Sequence, residues 1–153
     1  MKRLLKRTAF ATFLLMLVFV NAFSQATTKD ITDKFFSIYK KNPLQAVDYG
    51  FSTNKWMSRK PDDLANAKTK LKDLIALLGD YYGYELLSDK TAGPNIRMVA
   101  FIVRYDRQPI RFTFLFYKPK DSWQLNNFSF DQDIDKDLEE ATKAYRLKEN
   151  FPQ

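Results

Sequence analysis

The sequence contains neither cysteine nor histidine in its 153 residues. Without cysteine the chain can form no disulfide, so an exported fold has to rely on apolar burial. Without histidine it has no imidazole for general-base catalysis or a catalytic triad, and it lacks the usual ligands of zinc, copper and haem iron. Glycine is scarce, with four residues, and no glycine-rich phosphate loop or nucleophile elbow occurs. Few enzyme classes stay open.

The first 24 residues have the layout of a secretory signal peptide. Four basic residues precede an uncharged, largely apolar run at positions 8–20, and such runs hold roughly 7–15 residues in signal peptides. A membrane-spanning helix would need ~20 apolar residues, and the polar Asn21 follows closely. Small side chains at Ala22 and Ser24 predict cleavage between Ser24 and Gln25. Lipoprotein acylation is excluded because no cysteine stands near the cut.

Residues 25–153 are predicted to form one exported domain, either periplasmic or extracellular. The leader holds four of the 25 lysines and arginines and none of the 18 aspartates and glutamates, which leaves 21 bases against 18 acids, a net charge of +3 instead of +7. Nucleic-acid binding usually requires a dense basic surface, and a net charge of +3 is small for one. No nucleic-acid partner is therefore expected. Membrane contact is expected only through the leader during export.

Three helices are predicted before any clear strand. The first begins at Asp30 as its cap, and a short second helix, capped by Asn42, ends at Gly50. The third is the clearest, running from Pro61 to a terminating Gly79, with its charged residues on a solvent-exposed face. Its apolar stripe has helical spacing and consists of Leu64, Ala67, Leu71, Leu74, Ile75 and Leu78.

Four antiparallel strands are predicted next. The first follows from the alternation in DYYGYELLSDK, and three more follow it, joined by tight turns. A first hairpin loop at positions 107–108 sets Phe101 opposite Phe114, which makes one face of the sheet entirely apolar. A second loop at positions 119–120 continues this face by setting Phe114 opposite Leu125.

The fourth strand loses its alternation at two asparagines. Trp123 and Leu125 stand at odd positions, whereas Phe128 and Phe130 stand at even ones. A regular strand cannot place all four on one side. One extra residue at positions 126–127, a β-bulge, would restore the alternation and bend the strand. The alternative is that the two phenylalanines cover the second face of the sheet.

An acidic segment at positions 131–140 opens the last predicted helix. Ile134, Leu138, Ala141 and Tyr145 recur at helical spacing, and acidic side chains suit the positive end of a helix. The segment is also the one candidate for a calcium site, but it lacks the glycine at the sixth position of an EF-hand loop. We therefore expect neither a metal nor a cofactor.

The predicted order is helices, a four-stranded antiparallel meander and a final helix, which is an α+β domain with helices on one face of a curved sheet. With LIALLGDYYGYELLS leading into VRYDRQPIRFTFLFYKPKDSWQLNNFSFD, this order resembles the small exported bacterial domains of the NTF2-like superfamily, the cone-shaped, cystatin-like α+β class. The chain departs from the usual pattern because its long helix precedes all the clear strands. That superfamily includes ketosteroid isomerase-like enzymes and many binding modules, so the resemblance constrains fold more than function.

The favoured function is a non-enzymatic binding or interaction module of the bacterial cell envelope, for an unknown small ligand or envelope protein. The sequence has more aromatic residues than a core requires. Tyr49, Trp56, Tyr82 and Tyr84 could line the open end of the cone, or the tyrosines could be boundary residues with their hydroxyl groups at the surface. The segment at positions 51–60 is predicted as either a loop or a short edge strand.

The second face of the predicted sheet mixes basic and apolar residues. The predicted register sets Arg104 opposite Arg111, beside Thr113 and Tyr117. Two like charges directly opposed are mildly destabilising unless an anionic group lies between them. A carboxylate of the same chain, such as Glu85, is the favoured explanation, and an acidic partner or a homodimer contact is the alternative.

An enzyme is the second functional hypothesis. Acid/base chemistry would fall to a carboxylate in an apolar pocket aided by a tyrosine hydroxyl, the ketosteroid isomerase-like arrangement. A carboxylate buried in a cavity within hydrogen-bond reach of a tyrosine would favour this hypothesis. The nominal pairs, adjacent in sequence and not otherwise distinguished, are Asp48 with Tyr49, Asp80 with Tyr81, and Glu85 with Tyr84.

Overall fold

A computed structural model describes residues 26–57 and 59–150, with side chains up to residue 144. The predicted leader and its cleavage site between Ser24 and Gln25 lie outside the described residues. None of the described helices is long and apolar enough to cross a membrane. The α+β class is confirmed, with three helices, a four-stranded antiparallel sheet and a last helix in this order: α1 (Thr28–Tyr39), α2 (Pro43–Ser52), α3 (Pro61–Ile75), β1 (Tyr81–Thr91), β2 (Ile96–Tyr105), β3 (Ile110–Tyr117), β4 (Gln124–Asp131) and α4 (Ile134–Asn150).

Helix α1 begins before its predicted start because Thr27, not Asp30, caps it. The Thr27 hydroxyl accepts a hydrogen bond from the Asp30 N–H at 3.1 Å, and the Asp30 carboxylate accepts one from the Thr27 N–H at 2.8 Å. This capping box satisfies two backbone donors at once. Asn42 caps α2 as predicted, since its side chain accepts a hydrogen bond from the Gln45 N–H at 3.1 Å.

Helix α3 begins at Pro61 as predicted but ends at Ile75, before Gly79. Residues 76–78 form a turn. Gly79 has a φ of +78°, and a Cβ there would lie 2.9 Å from the Cβ of Asp106. Glycine is therefore needed in the connection to β1 rather than directly after the helix. The predicted apolar stripe does join the core, through Leu64, Ala67, Leu71, Leu74, Ile75 and Leu78.

Both predicted hairpin registers are wrong by two residues. The strand order is β1-β2-β3-β4, and each neighbouring pair is antiparallel. Phe101 pairs with Phe112 instead of Phe114, and Leu125 pairs with Phe116 instead of Phe114. A shift of two residues keeps each side chain on its predicted face. The phenylalanine-rich face is accordingly buried, with exposed fractions of 0–7% at Phe101, Phe112, Phe114 and Phe116.

The first register differs because the β2–β3 loop is tied to a distant part of the chain. The Asp106 N–H donates to the Asp80 carbonyl at 3.0 Å, and the Arg107 N–H donates to the Leu78 carbonyl at 2.9 Å. Both acceptors lie in the connection between α3 and β1. These contacts favour a longer loop than the two-residue turn that the local sequence suggested.

The β-bulge predicted at the two asparagines is confirmed. Leu125 and Asn127 pair with consecutive residues of β3, which leaves Asn126 as the extra residue. Leu125 and Phe128 are therefore both buried, and Phe130 packs partly against the same core. The alternative, in which the two phenylalanines cover the second face, is wrong.

The core is built mainly from aromatic rings on α1 and the sheet. Phe35 and Phe36 are 1% and 2% exposed, and both rings contact Phe112 and Phe114. The Phe35 and Phe114 ring centroids lie 5.0 Å apart at 81°. Such edge-to-face pairs contribute about 0.5–1.5 kcal/mol beyond their buried area. Helix α1 is thus held to the centre of the sheet by oriented ring contacts.

Helix α4 begins at Ile134, within the acidic segment as predicted, but none of the described residues of its predicted apolar stripe, Ile134, Leu138 and Ala141, is buried. Leu138 is 64% exposed. Arg111 of β3 connects the helix to the sheet, since it pairs with Asp131 at 3.0 Å and with Asp137 in the first turn of α4. Within the part of the chain that the structure describes, no group of three acidic side chains is close enough to hold a metal ion.

Candidate functional site

A cavity of about 630 Å³ opens between the loop after α2, one face of α3 and strand β4; we call it the β4 groove. Helix α3 contributes Asp63, Asn66, Ala67 and Lys70, whose spacing of three and four residues places them on one side of the helix. Strand β4 contributes five consecutive residues, 126–130. The groove thus has a helix as one wall and a strand as the other.

Side-chain hydrogen bonds fasten the loop between α2 and α3 to the beginning of β4. The Leu125 N–H donates to the Thr53 hydroxyl at 3.0 Å, and the Asn54 amide donates to the Leu125 carbonyl at 2.7 Å. Asn54 is 3% exposed, and its side-chain oxygen accepts the Trp56 N–H at 2.9 Å. Of the segment at positions 51–60, the first two residues belong to α2 and the other described residues form a loop. The contact of this loop with β4 places Trp56 at the groove.

Trp56 presents its indole ring to solvent at the mouth of the groove. Its exposed fraction is 58%. The Lys55 Nζ lies 5.3 Å from the ring centroid and the Arg59 guanidinium lies 4.8 Å from it, within the ~6 Å over which a cation is attracted to an aromatic face. A tryptophan side chain ordered in this way offers both a flat apolar surface and an N–H donor for a ligand.

Cations outnumber acids around the groove. Lys60 and Lys70 line it, and Asp63 is the one acidic residue among the described lining residues. The Lys60 Nζ lies 3.6 Å from the Asp63 carboxylate, but an ion pair as exposed as this one holds its partners only weakly. Lys55 and Arg59, on the Trp56 ring, add two more positive charges near the mouth. The groove therefore suits an anionic ligand.

Sequence reasoning missed most of these residues. The polar side of α3 was interpreted as a solvent-exposed face, although Asp63, Asn66 and Lys70 line the groove. The bulge at Asn126 was predicted because it determines which face of the sheet the following side chains occupy. It was not predicted as part of a binding site. The available signal was the combination of an amide-rich bulge with an unassigned tryptophan segment, but nothing in the sequence places those two segments together.

The four aromatic residues predicted to share one opening do not come together. Trp56 lines the β4 groove, whereas Tyr84 lies on β1, at the opposite edge of the sheet. Tyr84 stacks on Phe36 with centroids 3.7 Å apart. Tyr82 is exposed, with its hydroxyl 3.4 Å from Asp106. Tyr49 lies on α2, is half-buried and has the Lys34 ammonium over its ring.

Tyr84 borders a second, smaller cavity of about 320 Å³ between α1 and the β1–β2 pair. Its charged lining is neutralised internally. Arg97 pairs with Asp89 at 2.5 Å, and this hydrogen bond lowers the pKa of the Asp89 carboxyl. Lys29 likewise pairs with Asp33 at 2.5 Å. With its charges already matched, this cavity is the weaker candidate for a ligand.

Arg104 and Arg111 lie on the same outer face of the sheet, but they are not opposite each other as predicted. Arg111 pairs with Ile102, because the register is shifted by two residues. Arg104 lies 3.2 Å from Glu85, and Arg111 lies 3.0 Å from Asp131. Carboxylates of the same chain therefore neutralise both arginines, which was the favoured of the two explanations.

The rest of the predicted interaction face is also on this outer side. Thr113 and Tyr117 alternate with the buried residues of β3, and Tyr117 is 39% exposed. Met98 on the neighbouring strand is 45% exposed. A role of this face in binding a partner or a second copy stays a prediction.

The carboxylates of the three nominal carboxylate–tyrosine pairs, Asp48, Asp80 and Glu85, are not buried. The buried polar side chains within residues 26–57 and 59–144 are Thr28, Thr32 and Asn54. Of the nominal pairs, Asp48 is held 2.8 Å from Lys68 and Glu85 is paired with Arg104. Neither carboxylate is enclosed in a cavity with a tyrosine hydroxyl.

Comparison with known proteins does not identify the chain. The order of its elements is the basis of the resemblance to the NTF2-like superfamily, which therefore stays a prediction. No protein-family model matches the chain, and no significant similarity is found to a curated protein or to a solved structure.

Proposed function

We propose that this protein is an exported, non-enzymatic binding module of the bacterial cell envelope, with the β4 groove as its ligand site and a fold of the NTF2-like type. The observation that carries the proposal is the ordered, exposed Trp56. Its loop is fastened to Leu125 by two side-chain hydrogen bonds and leaves the indole 58% exposed.

An exposed indole is unfavourable for an isolated protein. Apolar surface left in water forgoes roughly 25 cal/mol per Å² of burial free energy. The Asn54 side chain nevertheless holds the Trp56 backbone at the groove, since it accepts the Trp56 N–H and donates to the Leu125 carbonyl. A ligand that covers the ring would recover that free energy without the entropy cost of ordering the loop. The leader-like N-terminus supports export, and the internally neutralised carboxylates favour binding over catalysis.

Fluorescence of Trp56 provides a direct test. The chain has two tryptophans, so Trp123→Phe leaves Trp56 as the one reporter. We expect at least one of three compound pools (peptides, oligosaccharides and lipid headgroups) to quench or shift its emission in a saturable way. If no pool alters the emission at millimolar concentration, the groove is not a ligand site.

A matched pair of variants shows whether binding uses the groove. Trp56 and Tyr82 are equally exposed, at 58% each, but they lie at opposite edges of the sheet. For whichever pool binds, calorimetric titration should show a loss of affinity of about tenfold or more for Trp56→Ala, in the range of interface hot spots. Tyr82→Ala should bind as the unmodified protein does. Equal losses in both variants would contradict the proposed site.

A further inference from the structure

The lining of the β4 groove shows that it runs along the open edge of the sheet. Successive side chains of a strand point to opposite faces, so a cavity on one face would be lined by every second residue. Residues 126–130 all line this cavity. It therefore faces the backbone edge of β4, which is the last strand in the order β1-β2-β3-β4.

The strand pairing determines which backbone groups this edge presents. Lys118, directly after β3, donates its N–H to the Asn95 carbonyl before β2 at 2.8 Å. Along an antiparallel strand, successive residues direct their backbone N–H and C=O groups alternately to the strand on one side and to the strand on the other. Because Lys118 is bonded toward β2, the even-numbered residues of β3 direct these groups toward β2 and the odd-numbered ones toward β4. The β4 residues opposite the even-numbered ones direct their N–H and C=O groups away from the sheet: Leu125, Phe128 and Phe130.

The loop after α2 occupies the first of these three positions and leaves the other two open. The groups of Leu125 bond to Thr53 and Asn54. Within the described residues, no hydrogen bond made outside the helices and strands uses the backbone of Phe128 or Phe130. An unpaired edge is an aggregation hazard that proteins usually cover or shorten. Here the edge opens instead into a groove bounded by α3.

We propose that the β4 groove binds an extended, acidic peptide segment as a fifth strand, hydrogen-bonded to the backbone of Phe128 and Phe130. This inference rests on the proposed function and names the ligand class of the same site. Two open positions two residues apart match the repeat of an extended chain, ~6.6–6.8 Å. Addition of a strand to an open edge is a recurrent mode of peptide recognition, with backbone hydrogen bonds providing affinity and side-chain contacts providing specificity.

The charges around the groove favour acidic side chains on the peptide. Lys60 and Lys70 stand on the α3 side, with Asp63 as the single acid of the described lining. Arg59, over the Trp56 ring, extends the positive charge to the mouth. The indole would cover an apolar peptide side chain at that end. An acidic oligosaccharide could meet the cations and the indole, but it has no repeat of N–H and C=O groups to match the strand edge.

The test uses protein expressed with its own N-terminal segment and four probes. The first is a fluorescein-labelled octapeptide pool with Asp or Glu at alternate positions and mixed residues between them. The second replaces the acids by Lys, the third carries N-methyl groups on the alternate amides that would face β4, and the fourth is oligogalacturonate of comparable charge. We expect fluorescence anisotropy to show binding of the acidic pool, and the N-methylated pool to bind about tenfold more weakly, since it cannot form the backbone hydrogen bonds to β4.

Two charge-reversal variants on one helix provide the matched control. Lys70→Glu lies in the groove and should weaken binding of the acidic pool about three- to fivefold, in the range of exposed ion pairs, while improving binding of the Lys pool. Lys72→Glu, an exposed residue of α3 outside the groove lining, should change neither. Hydrogen exchange of the Phe128 and Phe130 amides should slow when the acidic pool is bound.

The outcomes separate this inference from the proposed function. Equal binding of the N-methylated and unmodified pools, or unchanged exchange at Phe128 and Phe130, overturns the strand model. Binding of oligogalacturonate without peptide binding also overturns the strand model. That result still supports the proposed binding module if Trp56→Ala abolishes the interaction. If no peptide pool binds at millimolar concentration, the inference is wrong, and the compound pools that monitor Trp56 then decide the proposed function separately.

Discussion

Two tyrosine hydroxyls form a polar contact inside an aromatic core. Tyr39 and Tyr105 are 1% and 8% exposed, and their hydroxyl groups hydrogen-bond to each other. Among the described residues, no buried side-chain nitrogen or oxygen lacks a partner. Each hydroxyl therefore has the other as its hydrogen-bond partner, and burial makes the loss of that partner costly.

Removal of one hydroxyl should cost more than removal of both. Tyr39→Phe leaves the Tyr105 hydroxyl buried without a partner, which should lower the free energy of unfolding by about 1–3 kcal/mol. The double variant Tyr39→Phe with Tyr105→Phe removes both polar groups and should be closer to the unmodified protein than either single variant. Urea unfolding of all four proteins measures the coupling. Additive effects of the two substitutions would contradict it.

The same pair predicts a loss of stability at alkaline pH. Burial raises the pKa of Tyr39 and of Tyr105 above the ordinary value of 10.0, and burial raises the pKa of Tyr81 to about 12. Below pH 10 these groups are protonated in both states and do not alter stability with pH. Above it, the unfolded chain releases protons that the folded protein retains, so the free energy of unfolding should fall as the pH rises.

Urea midpoints at pH 8, 10.5 and 11.5 measure this fall, and absorbance at 295 nm shows how many tyrosines ionise before unfolding. The double phenylalanine variant, with Tyr39 and Tyr105 replaced, should lose less stability between pH 8 and 11.5. An equal loss would assign the alkaline effect to other groups.

At the scale of the element, the bulge in β4 allows a specific test of register. Deletion of Asn126 removes the extra residue but leaves the following residues opposite their present partners in β3, so Phe128 and Phe130 should stay on the core face. Deletion of Ser129 instead moves Phe130 to the outer face and directs Asp131 toward the core. We expect the first deletion to lower the urea midpoint modestly and the second to prevent folding, because an unpaired buried carboxylate costs several kcal/mol.

Circular dichroism and urea unfolding of the two deletion variants check this prediction. If deletion of Asn126 is as disruptive as deletion of Ser129, the pairing of β4 with β3 is not the one described.

The loop after α2 behaves as a cap on the first part of the β4 edge. Asn54→Ala would leave the Leu125 carbonyl and the Trp56 N–H without their partners, at a cost of about 1–3 kcal/mol. It should also lower the fluorescence anisotropy of Trp56 in a Trp123→Phe background. Asn66→Ala, on the other wall of the groove, is the matched control and should affect neither stability nor anisotropy by a comparable amount.

At the scale of the whole molecule, the N-terminal segment is predicted to direct the protein out of the cytoplasm. The basic start, the apolar run and the small residues Ala22 and Ser24 predict export with cleavage. Protein recovered from a bacterial host should begin at Gln25, as measured by N-terminal sequencing and intact mass. A blocking substitution, Ala22→Leu, should leave the full-length chain attached to the membrane fraction. Recovery of full-length soluble protein from the cytoplasm would contradict export.

The order of the elements was predictable because local patterns encode it. The leucine stripe of α3 has helical periodicity, and the phenylalanines of β3 occupy every second position. The bulge was predictable as well. The apolar residues shift from odd positions, ending at Leu125, to even positions, beginning at Phe128, and one extra residue in the strand explains the shift. The hairpin registers were not, because hydrogen bonds from Asp106 and Arg107 to the α3–β1 connection set the length of the loop.

The candidate site was the least predictable part. Trp56 was singled out from the sequence, but its expected companions Tyr82 and Tyr84 lie on β1, at the far edge of the sheet. The actual neighbours of Trp56 come from α3, which follows it closely in the chain, and from β4, which is distant from it along the chain. Local patterns contain no information about which sheet edge a loop will cover.

By itself, the sequence determined the α+β composition, the apolar face of the sheet, the bulge and the chemistries that a chain without cysteine or histidine cannot perform. These properties depend on residue type and spacing, which act over a few residues. The tertiary structure alone decided the hairpin registers, the offset between Arg104 and Arg111, and the open edge at Phe128 and Phe130. Those properties depend on contacts between residues that only the folded chain brings within hydrogen-bond distance.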